Sequence, residues 1–419
     1  LSSTPFVYVL GREKRGRICD YCFSVCGSLK RCAACKCAYF CNKQCQAQAW
    51  QDHKVECAAF CKVAPNVPEA SVRFFCRLLV KLSNKDVWSE PEMVFGKKRC
   101  FADLMSHADS IKKDQLRLND FQKLWMTAKV FLDEKYIPEP EVGLEIYGKM
   151  VINSYGICDD GHSCIGTGLY LGPSIFDHSC VPNAHAVYKG PKLLLRAAEN
   201  ITCDSVEGIR VSYIDLLASK EARMQELSSQ YYFLCSCIRC SDMVPDCVTE
   251  KSSTLTASVK EKIKELEKNG VQQKETVQQL HQWVKAFLAQ NELPERDCAR
   301  IHALDLLSKC YLHLEDYEAA LTPYLEQEPV YKECYGPYSP VYTVLLCSIA
   351  KLYHFTVQLE KAMEYFEKAV AALTISHGRS HPLYVDVTEA YSHCKFELEN
   401  PGRVDGFSVK PQEHRISIP

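Results

Sequence analysis

No stretch of this 419-residue sequence approaches the run of about 18 apolar residues that a membrane-spanning helix needs. No basic start followed by an apolar core marks a secretion signal. An initiating methionine is missing too: the chain opens on Leu1, and LSSTPFVYVL already reads as a strand. The sequence is therefore expected to begin inside a domain. Excess charge is also lacking, with a net of −2, but the balance is uneven. Residues 11–62 carry ten Lys/Arg against four Asp/Glu, whereas residues 258–400 carry fifteen against twenty-one. Such polarity can steer charged partners, or it can reflect two solvated surfaces of opposite sign.

Cysteine is what the sequence has in excess, with 25 residues. Disulfides in a secreted protein and zinc in an intracellular one both give high counts, and spacing separates them. The pairs Cys19/Cys22, Cys32/Cys35, Cys41/Cys45 and His53/Cys57 supply eight donors in one short stretch. Zinc takes four tetrahedral sulfur or nitrogen donors, so eight donors make two sites. An x2 spacing suits a tight turn that presents two thiolates to one metal. The last two pairs lie in CNKQCQAQAWQDHKVEC, which reads as helix and puts each pair on a shared face. From Cys41 to His53 a helix turns about 120° beyond whole revolutions, so the two pairs should face different metals. Cys26, Cys37 and Cys61 fall outside the pairs and read as spare thiols.

Further along, SVRFFCRLLVKL and DFQKLWMTAKVFL have helical spacing and read as packed core. GLEIYGKMVINSYGIC, GTGLYLGPSIFDHSCVPNAHAVYKG, KLLLRAAENIT and IRVSYIDLLAS are rich in glycine, aromatics and short apolar runs. They predict small strands and tight turns rather than long helices. Cys235, Cys237 and Cys240 then offer three closely spaced zinc donors. A structural zinc needs a fourth, for which Cys180 is the leading choice and Cys247 the alternative.

DHSCVPN, VSYIDLL and QYYFLCSCIRC, in that order, are similar to the SET domain and its cysteine-rich tail. The upstream cysteine pattern resembles the MYND zinc finger, and together they resemble the SMYD family of protein lysine methyltransferases over nearly the whole chain. The resemblance implies an α+β fold: a split, β-rich SET domain with an inserted MYND finger, a cysteine-rich post-SET region and an all-α, tetratricopeptide-like C-terminal domain. The expected boundaries are a SET remnant at 1–18, the finger at 19–57, a helical insertion at 58–140, the core SET at 141–217, the post-SET zinc region at 218–247, the helical domain at 254–400 and a disordered tail at 401–419. It also implies crosswise metal sites, Cys19, Cys22, Cys41 and Cys45 for one zinc and Cys32, Cys35, His53 and Cys57 for another. With Cys180, Cys235, Cys237 and Cys240, three zinc ions are expected.

SET enzymes move a methyl group from S-adenosylmethionine to a lysine amine, which must lose its proton first. Near pH 7.4 that costs about 4 kcal/mol from a reference pKa of about 10.4. A sulfonium and an apolar channel lower the pKa, and in-line positioning supplies rate. By resemblance, Tyr213 is the catalytic tyrosine that orients the amine and also touches the cofactor. Tyr231 walls the lysine channel, and Phe233 the adenine pocket. Asn153, Ser174 and His178 match cofactor-binding positions, Asp177 stands beside them, and His107 resembles a ribose-contacting position. The expected partners are a lysine-bearing protein substrate and proline-rich peptides at the finger, with no DNA or membrane binding. A monomer in cytoplasm and nucleus is expected.

Two departures qualify the resemblance. The family motif begins NHSC, and here Asp177 replaces the asparagine, which removes an amide donor and adds charge. The family's glycine-rich, cofactor-clasping strand pair precedes the finger, and no such motif lies in the segment before Cys19. This chain by itself is therefore expected to bind cofactor weakly or not at all. A catalytically weak or inactive adaptor is the alternative reading. CDSVEG also replaces the usual Gly-Glu-Glu turn before the catalytic strand.

In the last third, LEDYEAA is followed by GPYSP, and LEKAMEYF is followed by GRSHP. The two segments form a weak repeat: Leu314 to Ala320 leads to Gly336 and Pro340, Leu359 to Phe366 leads to Gly378 and Pro382, and the two G-x3-P turns recur with a period of 42. They resemble tetratricopeptide helix pairs that stack around a concave face. The net acidity of this domain suggests a basic, lysine-bearing peptide as its ligand; a purely structural buttress is the other reading.

Overall fold

In the computed structural model, residues 1–202, 206–241, 244–269 and 274–400 are described. Cys203–Ser205, within CDSVEG, and the tail at 401–419 lie outside the described residues. Strands β1 (Ser2–Ser3) and β2 (Val7–Leu10) come from the opening segment. Pro5 separates them, since it has no N–H to give a ladder. The finger follows with β3 (Lys30–Arg31), β4 (Tyr39–Phe40) and helix α1 (Lys43–Val63). The Asn42 side chain accepts from the Cys45 N–H and caps α1. Cys41 thus stands before the helix, which corrects the expectation that Cys41 and Cys45 share a helical face.

Helix α2 (Ala70–Leu82) buries Phe74, Phe75, Leu78, Leu79 and Leu82 at helical spacing. A hairpin of β5 (Glu92–Val94) and β6 (Lys97–Arg99) leads to α3 (Ala108–Lys113), α4 (Gln115–Phe131) and α5 (Pro140–Asn153). Helix α5 is the second correction, because GLEIYGKMVIN had been expected to form strands and turns. Its glycines serve close packing instead. A Cβ on Gly143 would lie 2.2 Å from the Trp125 ring, and one on Gly148 would lie 2.2 Å from the Ser106 carbonyl oxygen.

The β-rich part comprises β7 (Ser154–Cys158), β8 (Cys164–Leu169), β9 (Asp177–His178), β10 (Ala184–Lys189), β11 (Lys192–Ala197) and β12 (Arg210–Val211). Its sheets run β1-β11-β10, β2-β8-β7 and the parallel pair β9-β12. The opening strands are thus edge partners of strands far downstream in the chain, with Ser2 opposite Leu194 and Val9 opposite Thr167. Leu10, Ile157, Ile165, Tyr170, Phe176 and Leu193 fill the core between these sheets.

Helix α6 (Lys220–Tyr231) precedes the second cysteine cluster. Seven helices follow among the described residues: α7 (Ser253–Asn269), α8 (Lys274–Gln290), α9 (Cys298–His313), α10 (Tyr317–Tyr335), α11 (Pro340–Phe355), α12 (Leu359–Ser376) and α13 (Pro382–Glu399). The pairs α10/α11 and α12/α13 start at equivalent positions of the sequence repeat, Tyr317 with Leu359 and Pro340 with Pro382. Gly336 and Gly378 end the first helix of each pair at φ +86° and +85°, where a side chain would be strained. Helix α11 is apolar nearly all round and buried, as the central helix of a stack must be. No helix among the described residues is long and apolar enough to cross a membrane.

Candidate metal centres and active-site cleft

Three clusters of four donors form. They are Cys19, Cys22, Cys41 and Cys45; then Cys32, Cys35, His53 and Cys57; then Cys180, Cys235, Cys237 and Cys240, each with its ligand atoms within 4.8 Å of one another. A tetrahedral zinc with bonds of about 2.3 Å sets ligand sulfurs about 3.8 Å apart. Cys32 and Cys57 lie 3.8 Å apart, Cys22 and Cys45 3.9 Å, and Cys35 Sγ lies 3.6 Å from His53 Nε2. The donor chemistry and spacing fit zinc at all three positions. Cys26 stays outside the four-donor cluster, although its Sγ is 3.0 Å from Cys41 Sγ. Cys247, the alternative fourth ligand, is instead 2.9 Å from Cys334 on α10.

The second cluster is bound into the protein by buried charge. His53 Nδ1 faces Glu56 Oε2 at 3.6 Å, and Glu56 accepts from Arg73 at 2.7 Å and from Arg77 at 2.6 Å. The two guanidinium groups hold the Glu56 carboxyl well below the usual range even though burial opposes this most strongly. The sequence reading missed these residues. The i, i+3 spacing of His53 and Glu56 on one helix was the available signal.

The third cluster leads to the cleft. His178, two residues before Cys180, packs against Tyr213, with ring centroids 5.4 Å apart. The Tyr213 N–H donates to His178 Nδ1 at 3.1 Å. Burial and the nearby Arg223 push His178 down to about 4, consistent with a neutral ring that accepts this bond. The Tyr213 hydroxyl donates to the Phe176 carbonyl at 2.6 Å, and burial first, then Asp177, raises its pKa so that it stays protonated. The Tyr231 hydroxyl donates to the Tyr213 carbonyl at 3.2 Å, and its pKa is raised by burial to about 12. Phe233 closes the group, 6.4 Å from the Tyr213 ring and 5.9 Å from the His178 ring.

Asn153, at the end of α5, donates from Nδ2 to the carbonyls of Met105 and Lys149 at 2.9 and 2.8 Å. That ties the 105–107 segment to the same region, where His107 lies against Tyr232 with ring centroids 5.4 Å apart. The Ser174 hydroxyl donates to the Leu171 carbonyl at 2.6 Å and accepts from Arg99 Nε at 3.3 Å. Asp177 is different: its side chain is 68% exposed and bonded to Arg210 Nη1 at 2.6 Å.

Asn153, Ser174, Tyr213 and Tyr231 line one cleft of about 680 Å³, whose far wall is the helical domain. That wall presents Lys260, Lys264 and Lys309 beside Glu267 and Asp305. The cleft face is therefore mixed in charge rather than acidic, which corrects the expectation drawn from the net charge of the domain. A domain's net charge does not locate its charges, and here lysines of α7 and α9 turn toward the cleft.

Residues 19–57 match the MYND finger family. Over 94% of its length the chain is 30% identical to the "Histone-lysine N-methyltransferase SMYD3" of Mus musculus, covering 91% of that relative. The chain belongs to the SMYD family. The Homo sapiens SMYD3 of the same name is 29% identical over the same shares. The Gallus gallus "N-lysine methyltransferase SMYD2" is 27% identical over 95% of the chain and 91% of its own length. SMYD membership thus spans the finger, the β-rich core and the helical repeats alike.

Proposed function

We propose that the chain is a protein-lysine N-methyltransferase that takes its methyl group from S-adenosylmethionine. One observation carries the reading: in a chain of SMYD ancestry, Asn153, Ser174, Tyr213 and Tyr231 converge on one cleft between the β-rich core and the helical domain. Its donor set suits the cofactor. Asn153 spends its amide N–H groups on backbone carbonyls, and among the described residues its Oδ1 has no partner, so it can accept from an ammonium. Phe233 and Tyr231 offer aromatic faces for an adenine and for a lysine stem. When bound, S-adenosylmethionine supplies an electrophilic methyl on a sulfonium.

Tyr213 is the residue assigned to the reacting groups. Its hydroxyl is held protonated and pinned to Phe176, so its oxygen can accept from the incoming amine and orient it. His178 fixes the Tyr213 backbone from below, and Tyr231 fixes its carbonyl. A zinc in the third cluster would hold these segments in place, since its donors join Cys180, two residues after His178, to Cys235, two residues after Phe233. The substrate is a protein lysine whose flanks meet a wall of mixed charge. Cytoplasm and nucleus, where thiols stay reduced, are the compartments this reading assigns.

Calorimetric titration with S-adenosylmethionine, then transfer of a labelled methyl to a lysine peptide array, tests the proposal. Tyr213→Phe is expected to lower turnover on the order of 100-fold with cofactor affinity retained. The titration is run both on this chain and on one carrying the family's glycine-rich strand pair upstream, and absence of cofactor binding and transfer in the extended chain would overturn the assignment.

A further inference from the structure

The Sγ atoms of Cys247 and Cys334 are 2.9 Å apart, closer than any ligand pair in the three zinc clusters that is described above. Yet these two thiols belong to no cluster of three or more donors among the described residues. Two donors do not make a zinc site. Both are buried, 7% and 4% exposed, among Leu217, Val248, Ile301 and Val330. A disulfide needs sulfurs about 2.05 Å apart, so closure requires about 0.9 Å of movement. We propose that Cys247 and Cys334 form a reversible dithiol–disulfide switch that staples the post-SET segment to helix α10.

The surroundings favour one sulfur as the attacking group. Either sulfur can donate in the contact; the contact itself and then the Arg239 guanidinium lower the Cys247 pKa against burial and Asp246, while the contact and burial raise that of Cys334. Arg239 also holds both ends of the contact, donating to the Cys334 carbonyl at 3.3 Å and to Asp246 at 2.8 Å. The oxidant is a small peroxide, because burial excludes a bulky disulfide. Cys247 Sγ attacks one peroxide oxygen, the O–O bond breaks, and hydroxide leaves with the thiol proton as water. Cys334 Sγ then attacks the sulfenic sulfur; the S–S bond forms, the S–O bond breaks, and a second water leaves with the Cys334 proton. One peroxide is reduced to two waters as two thiols become one disulfide.

The staple would act on the cleft. Tyr335, the residue after Cys334, donates to Asp215 Oδ1 at 2.6 Å, and Asp215 lies two residues beyond Tyr213. Tyr331 and Tyr335 both line the cleft. Oxidation would therefore fix the helical wall against the segment after β12 that carries Tyr213 and Asp215, whatever reaction the cleft performs.

The zinc-loaded full chain is titrated with hydrogen peroxide. Differential alkylation with mass spectrometry follows every cysteine, and a chromogenic chelator follows zinc release. The expected result is a linked peptide containing Cys247 and Cys334, short of two hydrogens, that appears before zinc is lost and disappears with dithiothreitol. Tm should rise by a few degrees in the oxidised form, since the link joins positions far apart in the chain. Cys334→Ala should leave Cys247 trapped as a sulfenic acid that reacts with dimedone. In the wild type, the dimedone adduct should be at least tenfold weaker, and the linked peptide of the wild type tests the proposal even if the variant folds poorly. The proposal is overturned if both thiols stay alkylatable while zinc is released, or if Cys247 links to other cysteines instead.

Discussion

His53 Nδ1 faces Glu56 Oε2 at 3.6 Å, so the metal-binding ring of the second cluster is backed by a buried carboxylate. At that distance the contact is electrostatic rather than a hydrogen bond, and it favours a proton on Nδ1 with Nε2 turned to the cysteines. Glu56 passes the restraint on through Arg73 and Arg77, which donate to the carbonyls of Leu10 and Tyr8 on β2. A zinc ligand in the finger is thereby connected to a strand of the β-rich core.

Arg73 is the residue on which that connection depends. It is 1% exposed and is bonded to Glu56 at 2.7 Å and to Asp20 at 3.4 Å. Arg73→Leu leaves two buried carboxylates short of a partner, at a cost of about 3–5 kcal/mol. Adding Glu56→Gln to that variant should recover part of the loss. Denaturant unfolding with zinc quantified throughout measures both; a single-variant loss below about 1 kcal/mol would show that the network is not stabilising.

Gly148→Ala should destabilise the chain despite the usual gain of about 1 kcal/mol from replacing a helical glycine. The new Cβ would meet the Ser106 carbonyl oxygen at 2.2 Å, and a backbone atom cannot swing away like a side chain. Thermal unfolding is the check, with a lowered Tm expected. An unchanged or raised Tm would mean that the 104–107 segment shifts at no cost.

That glycine also shows where sequence reading fails. Glycines in GLEIYGKMVIN look like turn signals, but Gly143 and Gly148 meet Trp125 and Ser106, partners that no local pattern reveals. The finger's zinc donors were legible because they come in closely spaced pairs, whereas which pairs share a metal came from the resemblance and Cys180 stands far from Cys235 in the chain. The helical repeat was legible because Gly336 and Gly378 follow the equivalent helices α10 and α12. The Glu56–Arg73 pair, the lysines on the cleft wall and the contact of Cys247 with Cys334 depend on separations that only folding closes. Tyr213 and its neighbours stood out by resemblance alone, since a tyrosine among 22 has no local mark of function.

Asp177→Asn should change stability by less than about 1 kcal/mol. Its ion pair with Arg210 is short, at 2.6 Å, but the two side chains are 68% and 38% exposed. Water and salt screen such a pair, and the long arginine loses entropy to hold it. Denaturant unfolding at low and high salt measures the effect. A loss of several kcal/mol would show that Asp177 supports the β9–β12 pairing more than its exposure allows.

Stability should fall as pH drops below about 6.5, in part through His377. This residue follows α12 and its Nδ1 lies 2.8 Å from the Ser376 hydroxyl. Arg196 of β11 donates to the carbonyls of Thr374 and Ile375, which docks the helical domain on the β-rich core. His381, His162 and Arg196 face His377, and Asp160 lies 3.9 Å from His381. Burial first, then these neighbouring groups, pushes His377 down to about 3. Above the ordinary histidine pKa both the folded and unfolded forms are neutral there, and the site has no pH dependence. Below it the unfolded chain binds a proton that the folded chain refuses, so stability is lost as pH falls toward the folded value of about 3. At pH 5 the loss reaches at most about 2 kcal/mol for one fully suppressed histidine. His377→Asn keeps an acceptor near the Nδ1 position and cannot titrate. Comparing wild type and variant in denaturant at pH 7.5 and pH 5.5 removes the shared effect of zinc-thiolate protonation. The variant should show the shallower decline, and equal declines would rule out His377 as a source of the acid sensitivity.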